Sequence, residues 1–410
     1  MLMVQSQAFR QRQCADIQEK EQGGIMVKGL YFLFYVIFAI ILLIGVKPAA
    51  KGDWCRDALS LRISKGLLGF CAVGIMLHHM SQTISFAGED PGVLSFMVDI
   101  GVCFVGMFFF FSGYGLYSSL RDKPDYLKGF LRGRLPAVLV PFYICNFVFI
   151  LGSYLWGYRF AKGELLPYLT GAILMNSQMW YIVEILILYL LFFFVFRLIK
   201  NRDAACMVYG VCLMLLVAFS LWLGHDTTTP TQGLWLHGEW WYNTTMMIWV
   251  GILFARWEKQ ILGVIRKLYG LFLVVFLLLT AFLYNRTLYM LQNKGYWFEW
   301  DGYPGYKEKW QTLGVQFFFV FAAVLTVVIL TQKIRFSNKI LDFLGEIALE
   351  LYLIHNLFLL YMPGNNRMVY ILSCYGASIL LAVVLHMLDK RLIRLVRGKN
   401  KKFISRSDFH

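Results

Sequence analysis

Windows of about twenty residues without a break in apolarity recur from residue 30 almost to the C-terminus, and a helix crossing roughly 30 Å of hydrocarbon needs about that many. They fall near 30–46, 66–86, 93–117, 135–157, 180–199, 205–224, 240–256, 262–284, 311–331, 341–362 and 368–389, which predicts eleven helices. Inside a bilayer each backbone N–H and C=O must be paired, and a continuous apolar run of this length does so as a helix. Hydrophobic residues make up 59% of the chain and charged residues 15%, against about a quarter charged in soluble domains. The reading is an all-α polytopic membrane protein.

The formal net charge of +15 takes its meaning from where the charge lies. Taken alternately from residue 47 onward, one set of loops carries 28 Lys and Arg and the other 7. The basic set belongs to the cytoplasm by the positive-inside rule, which places the C-terminus there too. Topology thus accounts for the basic excess without nucleic acid. The same alternation puts residues 1–28, with four basic residues, on the outer side. Met26, followed by "VKGLYFLFYVIFAIILLIG", reads as an alternative start feeding a signal-anchor helix over 29–47.

Of eight cysteines, Cys71, Cys103, Cys145, Cys206, Cys212 and Cys374 fall within expected spans, and Cys14 and Cys55 lie outside them. No disulfide framework or CxxC pair is present, and no HExxH-type spacing calls for a metal.

An ionisable side chain in a span costs about 2.5–3.5 kcal/mol on insertion scales, so it normally faces a cavity and acts there. His78, His79, Glu184, Glu346, Glu350 and His355 meet that criterion. In "FCAVGIMLHHMSQTISF" (70–86), His79 lies about 40° from the direction of Lys65 and about 21 Å along the axis, while His78 points away. Lys65 therefore sits at the inner mouth, His79 is the candidate base, and His78 is a packing or supporting partner. His355 follows Tyr352 by one turn in "LELYLIHNLFL" and reaches a depth comparable with His79.

The loop "LRDKPDYLKGFLRGRLPAVLVPFY" brings Arg132 and Arg134 to the membrane edge, where guanidinium groups suit a phosphate-rich cytosolic ligand. The outer segments differ in kind. "GLWLHGEWWYN" (233–243) and "KGYWFEWDGYPGYKEKW" (294–310) interleave aromatics with carboxylates, a pattern that serves interfacial anchoring and equally the stacking of sugar rings.

Residues 60–390 resemble the acyltransferase-3 family of bacterial membrane O-acyltransferases. The likeness rests on "LHHM", "FFFFSGYGL" (108–116), "FLRGRLPAVLVPFY", "MWYIVEILILYLLF", "WWYN" (240–243) and "LELYLIHNLFL", in that order. It implies a ten-helix core preceded by one additional N-terminal transmembrane helix and followed by a basic tail at 391–410. It also implies an acyl-CoA donor, usually acetyl-CoA, no metal, and a hydroxyl acceptor on an extracytoplasmic or lipid-linked glycan. The expected setting is a bacterial inner membrane. By motif position the resemblance makes His79 essential and sets Arg132 and Arg134 near the CoA phosphates. Ser112 and Gly113 join the donor site, and Tyr352 and His355 the catalytic group. Expected acceptor contacts are Trp240, Trp241, Tyr242 and Asn243, together with Glu184, an intramembrane carboxylate that is not part of the family pattern. Two positions depart from the family pattern: Leu68 stands where a basic residue is common, and Ala348 where Ser is frequent.

The expected chemistry is acyl transfer with His79 as general base, by direct attack or through an acyl-histidine. Ser112 and Tyr352 are the available oxyanion donors. A transporter of a lipid-linked or small anionic substrate is the alternative, and an inactive sensory or scaffolding relative is a third.

Overall fold

The computed structural model describes residues 31–86, 90–223, 243–294, 306–361 and 367–397. Within them lie fourteen α-helices and one two-residue antiparallel ladder that pairs β1 (Lys47–Pro48) with β2 (Ile334–Arg335). In chain order the helices are α1 (Phe32–Leu43), α2 (Leu61–Phe86), α3 (Ser95–Asp122), α4 (Phe130–Leu155), α5 (Leu165–Thr170), α6 (Trp180–Leu198) and α7 (Arg202–Leu223). They continue as α8 (Met246–Arg256), α9 (Glu258–Lys267), α10 (Tyr269–Lys294), α11 (Tyr306–Thr331), α12 (Lys339–Glu346), α13 (Ala348–Tyr361) and α14 (Arg367–Arg397). The chain is an all-α polytopic membrane protein.

Each of the eleven apolar windows meets a helix, but not every helix has the length of a span. Among the described residues eight are long and apolar enough to cross a bilayer, or nine if α12 and α13 count as one broken span. The described α1 has 12 residues and α8 has 11, roughly 18 Å or less each. Helix α8 starts late because Asn243, Thr244 and Thr245 form a buried polar turn before it. The window at 262–284 resolves into two helices. In α9 the apolar Ile261, Leu262 and Ile265 alternate with Lys259, Arg266 and Lys267, giving an amphipathic surface helix ahead of the spanning α10. The window at 341–362 breaks at Ile347, where the axis turns by 74°.

Small residues position the site. Lipid offers no hydrophobic drive for helix pairing, so helices associate where backbones approach closely. A Cβ on Gly113 would lie 1.9 Å from the Ile248 carbonyl oxygen, and one on Gly251 would lie 2.1 Å from that of Phe110. Helices α3 and α8 are therefore in backbone contact, and Gly113 serves that contact. Likewise a Cβ on Gly69 would meet the Gly345 nitrogen at 2.3 Å, which presses α12 against α2. Helix α2 is the centre of the molecule, with 67% of its apolar window buried against 6% for the peripheral α10. Around it stand α3, α12 and α13, and α13 also packs on α4 and α14.

Candidate functional site

His78 and His79 are each half-buried on a helix whose neighbouring side chains are buried. The His79 ring stacks on that of His355 at 5.3 Å between centroids and 18° between planes. His78 lies 4.8 Å from His79 and turns toward α3, where it fills the room left by Gly101. The structure thus brings together the two histidines expected at equal depth and uses the third as packing between α2 and α3.

Hydrogen bonding determines which nitrogen of each neutral ring is basic. His355 Nδ1 is 2.7 Å from the Tyr352 carbonyl oxygen, and His78 Nδ1 is 2.8 Å from that of Met97. A carbonyl oxygen only accepts, so both Nδ1 atoms carry the proton and both Nε2 atoms hold a lone pair. His79 takes its tautomer from Gln82. Its amide nitrogen donates to the Val98 carbonyl oxygen at 3.3 Å, leaving Oε1 to accept from His79 Nδ1 at 3.3 Å. All three Nε2 atoms are therefore basic. That of His355 is buried without a hydrogen-bond partner among the described residues.

From this pair a file of polar and aromatic groups runs along the bundle. The Tyr352 hydroxyl donates to the Gln178 carbonyl oxygen at 2.5 Å, and the Tyr352 ring meets that of Tyr181 edge-on at 5.7 Å. Phe108 packs on both tyrosines. The Tyr181 hydroxyl lies 3.5 Å from Ser112 Oγ, and Ser112 also reaches Tyr189. Arg134 closes the file within electrostatic reach of Tyr189, with its Nε donating to the Tyr126 hydroxyl at 3.1 Å. Because the Tyr352 proton is committed to a backbone oxygen, Ser112 is the better placed of the two expected oxyanion donors.

Helix α13 is held in register by uncharged amides, which carry no ionisable group to mark them in the sequence. Asn176 Nδ2 donates to the Leu353 carbonyl oxygen at 3.4 Å, and its Oδ1 accepts from Gln178 N at 3.1 Å and Asn356 Nδ2 at 2.8 Å. Asn356 stands beside His355 in sequence and Asn176 lies one turn before the α6 window, so uncharged amides at span ends were the available signal. His386 and Asp389 were likewise missed. His386 Nδ1 lies 2.8 Å from Glu350 Oε1, and Asp389, 1% exposed, stands near Glu350, in a cluster separate from the His79 pair.

The remaining expected residues divide. Arg132 and Arg134 leave α4 in opposite directions, two positions apart on a helix. Arg132 donates to the Arg397 backbone oxygen at 2.5 Å, Arg397 donates to that of Gly133, and so Arg132 ties α4 to the end of α14. The two arginines do not converge as one clamp. Lys65 sits at the opposite end of α2 from His79, within electrostatic reach of Glu346 and Lys390, with Glu346 and Lys390 paired at 3.4 Å. Leu68 is half-buried and packs against the apolar core, and Ala348 is the first residue of α13 after the break. Glu184 is completely buried. Its Oε1 accepts from Thr245 Oγ1, its Oε2 has no partner among the described residues, and it lies within electrostatic reach of Tyr352. Asn243 is buried beside Thr244 and Thr245, whereas Trp240, Trp241 and Tyr242, and most of 294–310, lie outside the described residues. No group of three or more His, Cys, Asp or Glu among the described residues is arranged to hold a metal ion.

A family model described as an acyltransferase domain, of the acyltransferase-3 type, matches residues 65–387, more than three quarters of the chain. No curated protein matches. No solved structure matches.

Proposed function

Given that this chain belongs to the acyltransferase-3 family, we propose that it transfers an acyl group, acetyl in the first instance, from cytoplasmic acyl-CoA to a hydroxyl of an extracytoplasmic or lipid-linked glycan. The observation that carries this reading is the continuous file from Arg134 through Tyr189, Ser112, Tyr181 and Tyr352 to the stacked His355 and His79. It joins a guanidinium near one membrane edge to a basic imidazole nitrogen within the bundle. Arg134 receives a donor phosphate, for which its planar fork is suited. Arg132 contributes by holding α14 against α4.

The acceptor hydroxyl gives its proton to His79 Nε2 as its oxygen attacks the thioester carbonyl. Collapse of the tetrahedral adduct expels the CoA sulfur, which takes the proton back from His79. One ester and one free thiol result, with no net proton change. The Gln82 bond keeps Nδ1 protonated, so Nε2 is the atom that faces the hydroxyl. Glu184 Oε2, fully buried and with no partner among the described residues, is assigned to an acceptor hydroxyl. The protein resides in the bacterial inner membrane with its C-terminus in the cytoplasm.

The test is thiol release from acetyl-CoA in sealed vesicles carrying a glycan acceptor. Wild type should release CoA thiol, His79→Ala should lose about 10²–10⁴-fold in rate, and Arg134→Gln should raise the KM for acetyl-CoA roughly ten- to hundredfold through one lost charge-assisted bond. Acceptor movement without thiol release, unchanged in His79→Ala, would instead identify a transporter.

A further inference from the structure

A partly open pocket of about 200 Å³ lies on the other side of α3 from Ser112, between α9 and the segment preceding α2. Its wall is rigidly built. Backbone nitrogens of Ala49 and Cys55 donate to the Lys333 and Gln332 carbonyl oxygens at 2.8 and 2.9 Å. Lys333 Nζ donates to the Asp53 carbonyl oxygen at 2.6 Å and lies 3.9 Å from the Trp54 ring centroid.

The charges around this space do not balance. Two acids line it, Asp57 and Glu258, and each pairs with a guanidinium outside the lining, although Arg121, the partner of Glu258, also pairs with Asp122 at 2.8 Å. Asp57 pairs with Arg335 at 2.6 Å, and Glu258 pairs with Arg121 at 3.0 Å while accepting from the Tyr114 hydroxyl at 2.7 Å. Two guanidiniums, Arg56 and Arg266, line it as well. Arg56 has no ion pair among the described residues. Arg266 has only the neutral amide oxygen of Gln332, at 3.0 Å, and a face of Trp54, and its Nε is buried with no partner among the described residues. Burial, and next Asp57, push the Cys55 thiol above its ordinary range, so it stays neutral and does not repel an anion. Neither guanidinium has a carboxylate partner among the described residues, and guanidinium forks match phosphate geometry.

We infer that this cavity is a ligand site separate from the histidine file, and that it binds a phosphomonoester dianion, either free in solution or as a lipid headgroup. Neither Arg56 nor Arg266 takes part in the proposed transfer, so the inference stands or falls independently of that reaction.

Ligand that binds the folded chain alone raises its melting midpoint. The full chain in phosphatidylcholine nanodiscs is melted with millimolar inorganic phosphate against chloride at matched ionic strength, and again in nanodiscs containing phosphatidate. A rise in either arm, abolished in Arg56→Gln/Arg266→Gln and retained in Arg132→Gln/Arg134→Gln, is expected, and the arm that responds identifies the source. Phosphate also stabilises proteins non-specifically, and the difference between the variants isolates the site. No rise in either arm, or an equal rise in Arg56→Gln/Arg266→Gln, overturns the inference. Should the double variant not fold, Arg56→Gln alone, at an exposed position, is expected to reduce the rise and is held to the same standard.

Discussion

Each histidine of the pair owes its role to a different neighbour. His355 takes its tautomer from its own helix through the Tyr352 carbonyl, so any residue at 352 preserves it. The Tyr352 hydroxyl does something else: it fixes α13 against the turn at Ser177–Met179 through Gln178. Tyr352→Phe should therefore fold and keep its KM for acetyl-CoA, yet lose about tenfold in kcat, since a net hydrogen bond is worth about 1 kcal/mol and catalysis is sensitive to small displacements of the base. Steady-state kinetics distinguish this from a donor-site role, which would move KM. The pH profile is a separate check on His79. A neutral imidazole is the competent base, so the rate should fall as pH drops through its pKa. A flat profile with chemistry rate-limiting would remove His79 from that role.

Among elements, the contact of α3 with α8 governs whether Ser112 faces Tyr181. Residues 112 and 113 adjoin, and the backbone at 113 touches α8 while the side chain at 112 turns to the file. Gly113→Val should lower the melting midpoint by an amount corresponding to about 1–3 kcal/mol of overpacking and reduce transfer with it. Gly115→Ala is the control, since a Cβ there meets nothing within 4 Å. The motif that resembles a donor-binding Ser-Gly in sequence is thus split by the fold into a site residue and a packing residue. Broken α12 and α13 have a related logic. Gly345 holds the first half against α2, and the turn at Ile347 directs the second half so that His355 meets His79.

For the whole molecule, the distribution of Lys and Arg makes a prediction about sidedness. Lys162, between α4 and α5, and Lys200, between α6 and α7, belong to opposite loop sets and are both exposed. In a chain whose native cysteines are replaced, Lys162→Cys should react with an impermeant maleimide added to intact cells and Lys200→Cys only after permeabilisation. The reverse pattern would invert the membrane orientation, and with it the assignment of Arg134 to the cytoplasmic side.

The apolar windows determined by themselves that this chain is a helical membrane protein, because about twenty continuous apolar residues fit a spanning helix and not the short alternating strands of a barrel. They also located the spanning helices, and the cost of ionisable groups in lipid drew attention to His78, His79, Glu184, Glu346, Glu350 and His355. Hydropathy does not reveal where a helix stops for a buried polar turn, as before α8, or bends against a neighbour, as at Ile347. Nor could periodicity along one helix reveal that Arg132 and Arg134 serve different partners, or that amides at 82, 176 and 356 hold the two imidazoles. Those are relations between segments far apart in the chain, and only the approach of backbones at a few glycines brings them within reach of one another.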